Sequence, residues 1–147
     1  MTRSTDRVVT STLARAFETA IAMGFAVDEQ VELMSAYGDD VEHEAPWPQS
    51  FAAYARAVRR GGAAGQYANQ LAGYYAGLAD YLADGRAALV VNHGGVLELG
   101  VVAAFPGAGR AGRFSGCPKL GAGSGRGRGP VKVRVAVARR SFFSRSF

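Results

Sequence analysis

The chain has 147 residues, of which 48% are hydrophobic and 10% aromatic, and its formal net charge is +5. That length matches one domain, and that composition supports a packed core and excludes a wholly disordered polymer. The charge is the sum of two unlike parts. Residues 1–106 hold seven arginines and all twelve acids, net −5, whereas residues 107–147 hold ten basic residues and no acid, net +10. The pattern predicts an acidic body (1–106) followed by a Gly/Arg-rich, loosely ordered basic tail (107–147). The start, MTRSTDR, has no apolar run of signal-peptide length. The most apolar stretch, Ala87 to Ala104, is broken by Asn92, His93, Gly94, Gly95 and Glu98, which argues against a membrane span. A lone cysteine, Cys117, makes no internal disulfide, so the expected location is cytoplasmic.

Asp6 to Ser11 is a short β-branched run and predicts a buried strand. The segment TLARAFETAIAMG carries Leu13, Phe17, Ala20 and Ile21 at helical spacing, with Ser11 as a candidate cap and Gly24 as a stop. AVDEQVELM fits more than one element. SAYGDDVEHEAPWPQS is polar, carries two prolines and predicts a loop. Phe51 to Arg60 predicts a helix ending at Gly61-Gly62. Gln66 to Asp84 predicts a longer one with Tyr67, Leu71, Tyr74 or Tyr75, Leu78 and Leu82 on one face. The tyrosines Tyr67, Tyr74, Tyr75 and Tyr81 read as packing residues. ALVVN, ending at Asn92, is an all-apolar strand of the kind parallel sheets bury. Gly95 to Phe105 then predicts a helix closed by Pro106-Gly107, and VKVRVAV in the tail alternates like a strand. Helices between strands imply an α/β fold with a mainly parallel sheet, although two strands in the body are few for such a sheet.

Ligands of parallel α/β sheets gather beyond the carboxyl ends of the strands. Ser11 ends the first strand and Arg15 follows one helical turn later. His93 ends the ALVVN strand, and Gly94-Gly95 permit a sharp turn into the last helix. Helix-start N–H groups favour anions, and a guanidinium is a two-pronged donor for phosphate oxygens. Ser11, Arg15, His93 and Gly94 are therefore expected to form a phosphate pocket.

VVTSTLARAFETA (Val8 to Ala20) resembles the second signature of the histidine phosphatase superfamily, the phosphoglycerate-mutase-like enzymes. In that signature a strand ends in a Ser-containing turn, followed by an Arg-Ala pair and then Thr-Ala. ALVVNHGGVLE resembles the signature around that family's second histidine, and VEHEAPW and FAAYARAVRRGG resemble the intervening region of some bacterial members. The resemblance spans about Arg7 to Gly107. It implies a three-layer α/β/α fold and a two-step phosphoryl transfer through a phosphohistidine, on a phosphorylated small molecule and with no metal and no cofactor. By position Arg15 matches the second arginine that holds the phosphate, and His93 matches the second histidine. The acid that protonates the leaving oxygen is expected at Glu44 first and Glu42 next.

The sequence departs from that pattern in one large respect. It contains no Arg-His-Gly, the motif that carries the family's nucleophile, and His43 lies in EHEAP with no strand before it and no glycine after it. The family's first strand would precede Val8. The resemblance thus implies an incomplete domain with an unpaired apolar sheet edge and weak or absent turnover, because loss of a nucleophile costs on the order of a millionfold in rate. Phosphatase and mutase chemistry fit the remaining residues equally. The rival expectation is a non-catalytic protein that holds an anion in the pocket, or nucleic acid through residues 107–147, since arginine-glycine stretches track phosphates.

Overall fold

Val8, Val9 and Thr10 crowd the backbone at Cβ and favour the extended state, and they form the centre of strand β1 (Arg7–Ser11). The computed structural model describes residues 5–83 and 86–105, and the backbone alone of residues 132–137. After β1 come α1 (Ala14–Ala22), β2 (Glu29–Val31), a 3-10 turn (Glu32–Met34), α2 (Asp39–Glu44), α3 (Phe51–Arg60) and α4 (Ala63–Tyr81). Strand β3 (Ala87–Asn92), α5 (Val96–Ala104) and β4 (Lys132–Val137) complete the order.

β1 pairs in parallel with both β2 and β3, and β4 joins the outer side of β3, also in parallel. Side-chain alternation divides β1 and β3 between two faces. Val8, Leu89 and Val91 pack on Ala20 of α1, with Phe25 and Val27 beside them. Val9, Ala88 and Val90 face the larger core, which holds Tyr54 of α3, Leu71 and Tyr75 of α4, and Leu99 of α5. Helices thus cover both faces of a parallel sheet, an α/β architecture. All six residues of β3 are buried, which explains its unbroken apolar sequence.

Most expected elements are present with boundaries shifted by a few residues. The helix expected over Gln66 to Asp84 is α4, which begins at Ala63 and ends at Tyr81. Its core face uses Tyr75 rather than Tyr74, which is only half-buried. Tyr81 departs from the packing expectation. It is 75% exposed, and the Arg7 guanidinium lies over its ring at 5.2 Å. Ser11 does not cap α1: Leu13 occupies the cap position, and no side chain bonds there. Ser50 does cap α3, its side chain accepting from Ala53 N–H at 3.1 Å.

Two elements are additions. β2 lies within the ambiguous segment, and α2 lies within the expected loop, where Asp39, Asp40 and Glu42 place negative charge in its first turn, as the helix dipole favours. The apolar edge expected on the sheet is covered at β3, whose six residues pair with β4. The rest of the expected loose tail lies outside the described residues, as do Asp84 and Gly85. No helix among the described residues is long and apolar enough to cross a membrane.

Leu71 is fully buried between the sheet and the other helices. Leu71→Ala should lower unfolding free energy by about 2–5 kcal/mol, as cavity-forming core truncations do. Ile21→Ala, on the exposed side of α1, should stay within about 0.5 kcal/mol of the parent. Urea denaturation followed by circular dichroism measures both.

Candidate functional site

The register Thr10↔Val91 between β1 and β3 sets Ser11 beside Asn92, and the chain leaves the sheet at Thr12 and at His93 next to one another. The carboxyl ends of the two strands therefore form a single crest. Ser11, Asn92 and His93 are all buried there.

Ser35, just after the 3-10 turn, ties the crest together. Its hydroxyl accepts from Thr12 N–H at 3.0 Å and also meets the Thr12 hydroxyl. Its carbonyl accepts from His93 Nε2 at 3.0 Å. That bond places the proton of the neutral ring on Nε2 and leaves the lone pair on Nδ1. A second bond, from His93 N–H to Asn92 Oδ1 at 2.8 Å, fixes the backbone where the strand ends.

His93 is 8% exposed, and its pKa is lowered from the ordinary 6.5. Burial is the largest cause, the nearby Arg15 guanidinium is the next, and backbone hydrogen bonds with Gly94, Met34 and Ser35 pull the other way. The Arg15 guanidinium thus disfavours the protonated ring. Arg15 sits in the first turn of α1, is exposed, and forms no ion pair among the described residues. The first turn of α1 also holds no acid and has no side-chain cap. The Ser11 hydroxyl, fully buried at the end of β1, has no hydrogen-bond partner among the described residues.

The other expected residues divide. Gly94 lies on the crest beneath Trp47, where a Cβ would collide with the indole nitrogen. Gly95 has φ +87°, a conformation that favours glycine, and a Cβ on it would strike the Tyr37 hydroxyl. The start of α5 was expected to offer free N–H groups. Glu98 accepts from Gly95 N–H at 2.7 Å, which places a carboxylate at the start of α5, whereas the first turn of α1 carries none.

Glu44 serves a different purpose from the expected proton donor. Its two carboxylate oxygens accept from Ala63 N–H at 3.1 Å and Ala64 N–H at 2.9 Å, capping α4. These bonds hold its carboxyl below the ordinary range, the Ala64 N–H contributing most. A general acid needs the opposite shift. Glu42 is exposed on α2, where it accepts from Trp47 N–H at 3.4 Å and bonds the Tyr37 hydroxyl. His43, the other histidine, is exposed on the same helix. No group of three or more metal-ligating side chains occurs among the described residues.

Sequence reasoning missed Ser35, Tyr37 and Trp47. Ser35 and Tyr37 fall in the stretch read as a polar loop, and nothing local marks them. Trp47, the single tryptophan of the chain, was the one visible signal, since a large aromatic between two prolines is an unusual loop residue.

The chain matches no family model, and comparison with curated proteins and with solved structures finds no similar protein.

Glu44→Gln should lower stability at neutral pH, because the charge at the start of α4 is lost. Its folded carboxyl is shifted down, so its contribution is present above the unfolded pKa and disappears as pH falls through the folded one. Urea midpoints of parent and variant should therefore differ at pH 7 and converge on strong acidification. Anion binding at the crest should be unaltered by the substitution.

Proposed function

We propose that the crest of β1 and β3 binds the phosphoryl group of a phosphate monoester, as the phosphate-holding residues of histidine-phosphatase-like proteins do. The observation that carries this reading is a missing counterion. Arg15 lies near a buried histidine with no carboxylate paired to it among the described residues. An oxyanion between the two would accept from the guanidinium and from a proton taken up at His93 Nδ1, because Nε2 is already committed to the Ser35 carbonyl. The unpartnered Ser11 hydroxyl and the open start of α1 add donors of the same kind.

The proposed role is recognition rather than turnover by the residues present. Phosphoryl transfer through a phosphohistidine needs a nucleophilic imidazole free to attack. The sequence holds only two histidines. One is bonded within the crest, and the other is exposed on α2. Neither lies in an Arg-His-Gly segment.

Sulfate tests the site without the complication of a titrating ligand. Isothermal titration should give tighter sulfate binding at pH 5.5 than at pH 8. The reason is that a bound dianion favours protonated His93, whose pKa is depressed in the free protein. Arg15→Ala should weaken binding roughly tenfold to hundredfold, since a charged hydrogen bond contributes about 1.5–3 kcal/mol. His93→Gln should flatten the pH dependence. Sulfate affinity indifferent to both substitutions would remove the proposal.

A further inference from the structure

We infer that the phosphoryl site carries an adjoining aromatic subsite, built by Trp47, that selects a phosphate ester of a flat, uncharged ring: an aryl phosphate monoester. This inference rests on the phosphoryl-binding reading above and narrows the substrate class.

Trp47 lies directly over Gly94, the residue after His93, and the absence of a Cβ there is what lets the indole approach the crest. The ring is not a core residue, being 52% exposed. Its position is nonetheless held. The backbone N–H donates to Glu42 Oε1 at 3.4 Å, and Pro46 and Pro48 flank it and restrict the chain. An exposed, positioned indole beside a phosphoryl pocket offers a stacking face for a ring attached to the ester oxygen. Tyr37 lies against Gly95, the residue after Gly94, and packs edge-on against Tyr67, with ring centroids 5.7 Å apart, so a second aromatic side chain stands at the same turn.

Charge sets the rest of the preference. Asp39, Asp40 and Glu42 occupy the first turn of α2, the helix that anchors Trp47 through Glu42. A second anionic group seated at the indole would lie near the Glu42 carboxylate and be repelled. The part of the ligand beyond its single phosphoryl group is therefore neutral and planar.

The test compares phenyl phosphate, glycerol phosphate and inorganic phosphate by isothermal titration at pH 7, with tryptophan fluorescence as a second readout. Trp47 is the sole tryptophan, so the emission reports this position alone. Phenyl phosphate should bind about tenfold or more tighter than glycerol phosphate, on the scale of aromatic stacking on a protein ring, and should alter the emission where glycerol phosphate does not. Trp47→Leu should bring the ratio of the two affinities close to one, and Trp47→Phe should restore most of the preference. Inorganic phosphate that binds without any preference for the phenyl ester, or a preference that survives in Trp47→Leu, would overturn the subsite while leaving the phosphoryl reading in place. If none of the three ligands binds, both readings fall.

Discussion

The parallel pairing of β1 with β3 is the constraint on which the rest depends. Side chains on a strand alternate faces, so sliding one strand by a single residue would turn Val9 and Ser11 away from the larger core and reverse every neighbour. The apolar sets prevent this. Val8, Leu89 and Val91 must meet α1, while Val9 and Val90 must meet α3, α4 and α5. The same register ends both strands at one level, leaving Ser11 beside Asn92, with Arg15 in the helix that follows β1 and His93 directly after β3. Hydrophobic patterning inside the sheet thus fixes polar groups at its edge, and Ser35 locks the two exits together through Thr12 and His93.

In the proposed reading, the crest takes negative charge although the body around it is acidic. Several nearby carboxylates are engaged by donors of the fold. Glu98 accepts from Gly95 N–H, Glu32 from the Thr12 hydroxyl, Glu42 from Trp47 N–H, and Glu44 from the start of α4. None of these forms an ion pair with Arg15. Burial and the Arg15 guanidinium both disfavour the charged form of His93, so the free site does not set a buried imidazolium against an arginine. In the proposed reading, an arriving oxyanion reverses that balance and draws a proton onto the ring.

Elements with a strong period were legible in the sequence. α3 was found with its full bounds, and α4, α5, β1 and β3 were found within a few residues, because their apolar spacing reflects burial on one face or on two. β2 was not resolved from its surroundings. Its three residues are half-buried or exposed, and it is extended because β1 pairs with it and because Asp28 bonds Val8 N–H through its side chain. α2 is six residues, four of them acidic, shortly before Pro46, a helix that tertiary contacts complete. The places of Ser11, His93 and Gly94 at the ends of β1 and β3, and of Arg15 in the first turn of α1, were legible because strand ends can be located and turn residues follow them. Glu44 was not, since a carboxylate that caps a helix nineteen residues away looks in sequence like any other loop acid. Ser35 acts through one hydroxyl and one carbonyl, and neither leaves a trace in the sequence pattern.

The central claim is that one oxyanion is held between Arg15 and His93. NMR titration of the histidine rings with and without sulfate tests it most directly, the His93 signal being identified by its loss in His93→Gln. The account predicts that His93 titrates below its ordinary value of about 6.5 in the free protein and moves upward when sulfate is added. It also predicts that Arg15→Ala raises the free value and diminishes the sulfate-induced shift. A His93 titration curve unchanged by sulfate, and unchanged by the loss of Arg15, would contradict it.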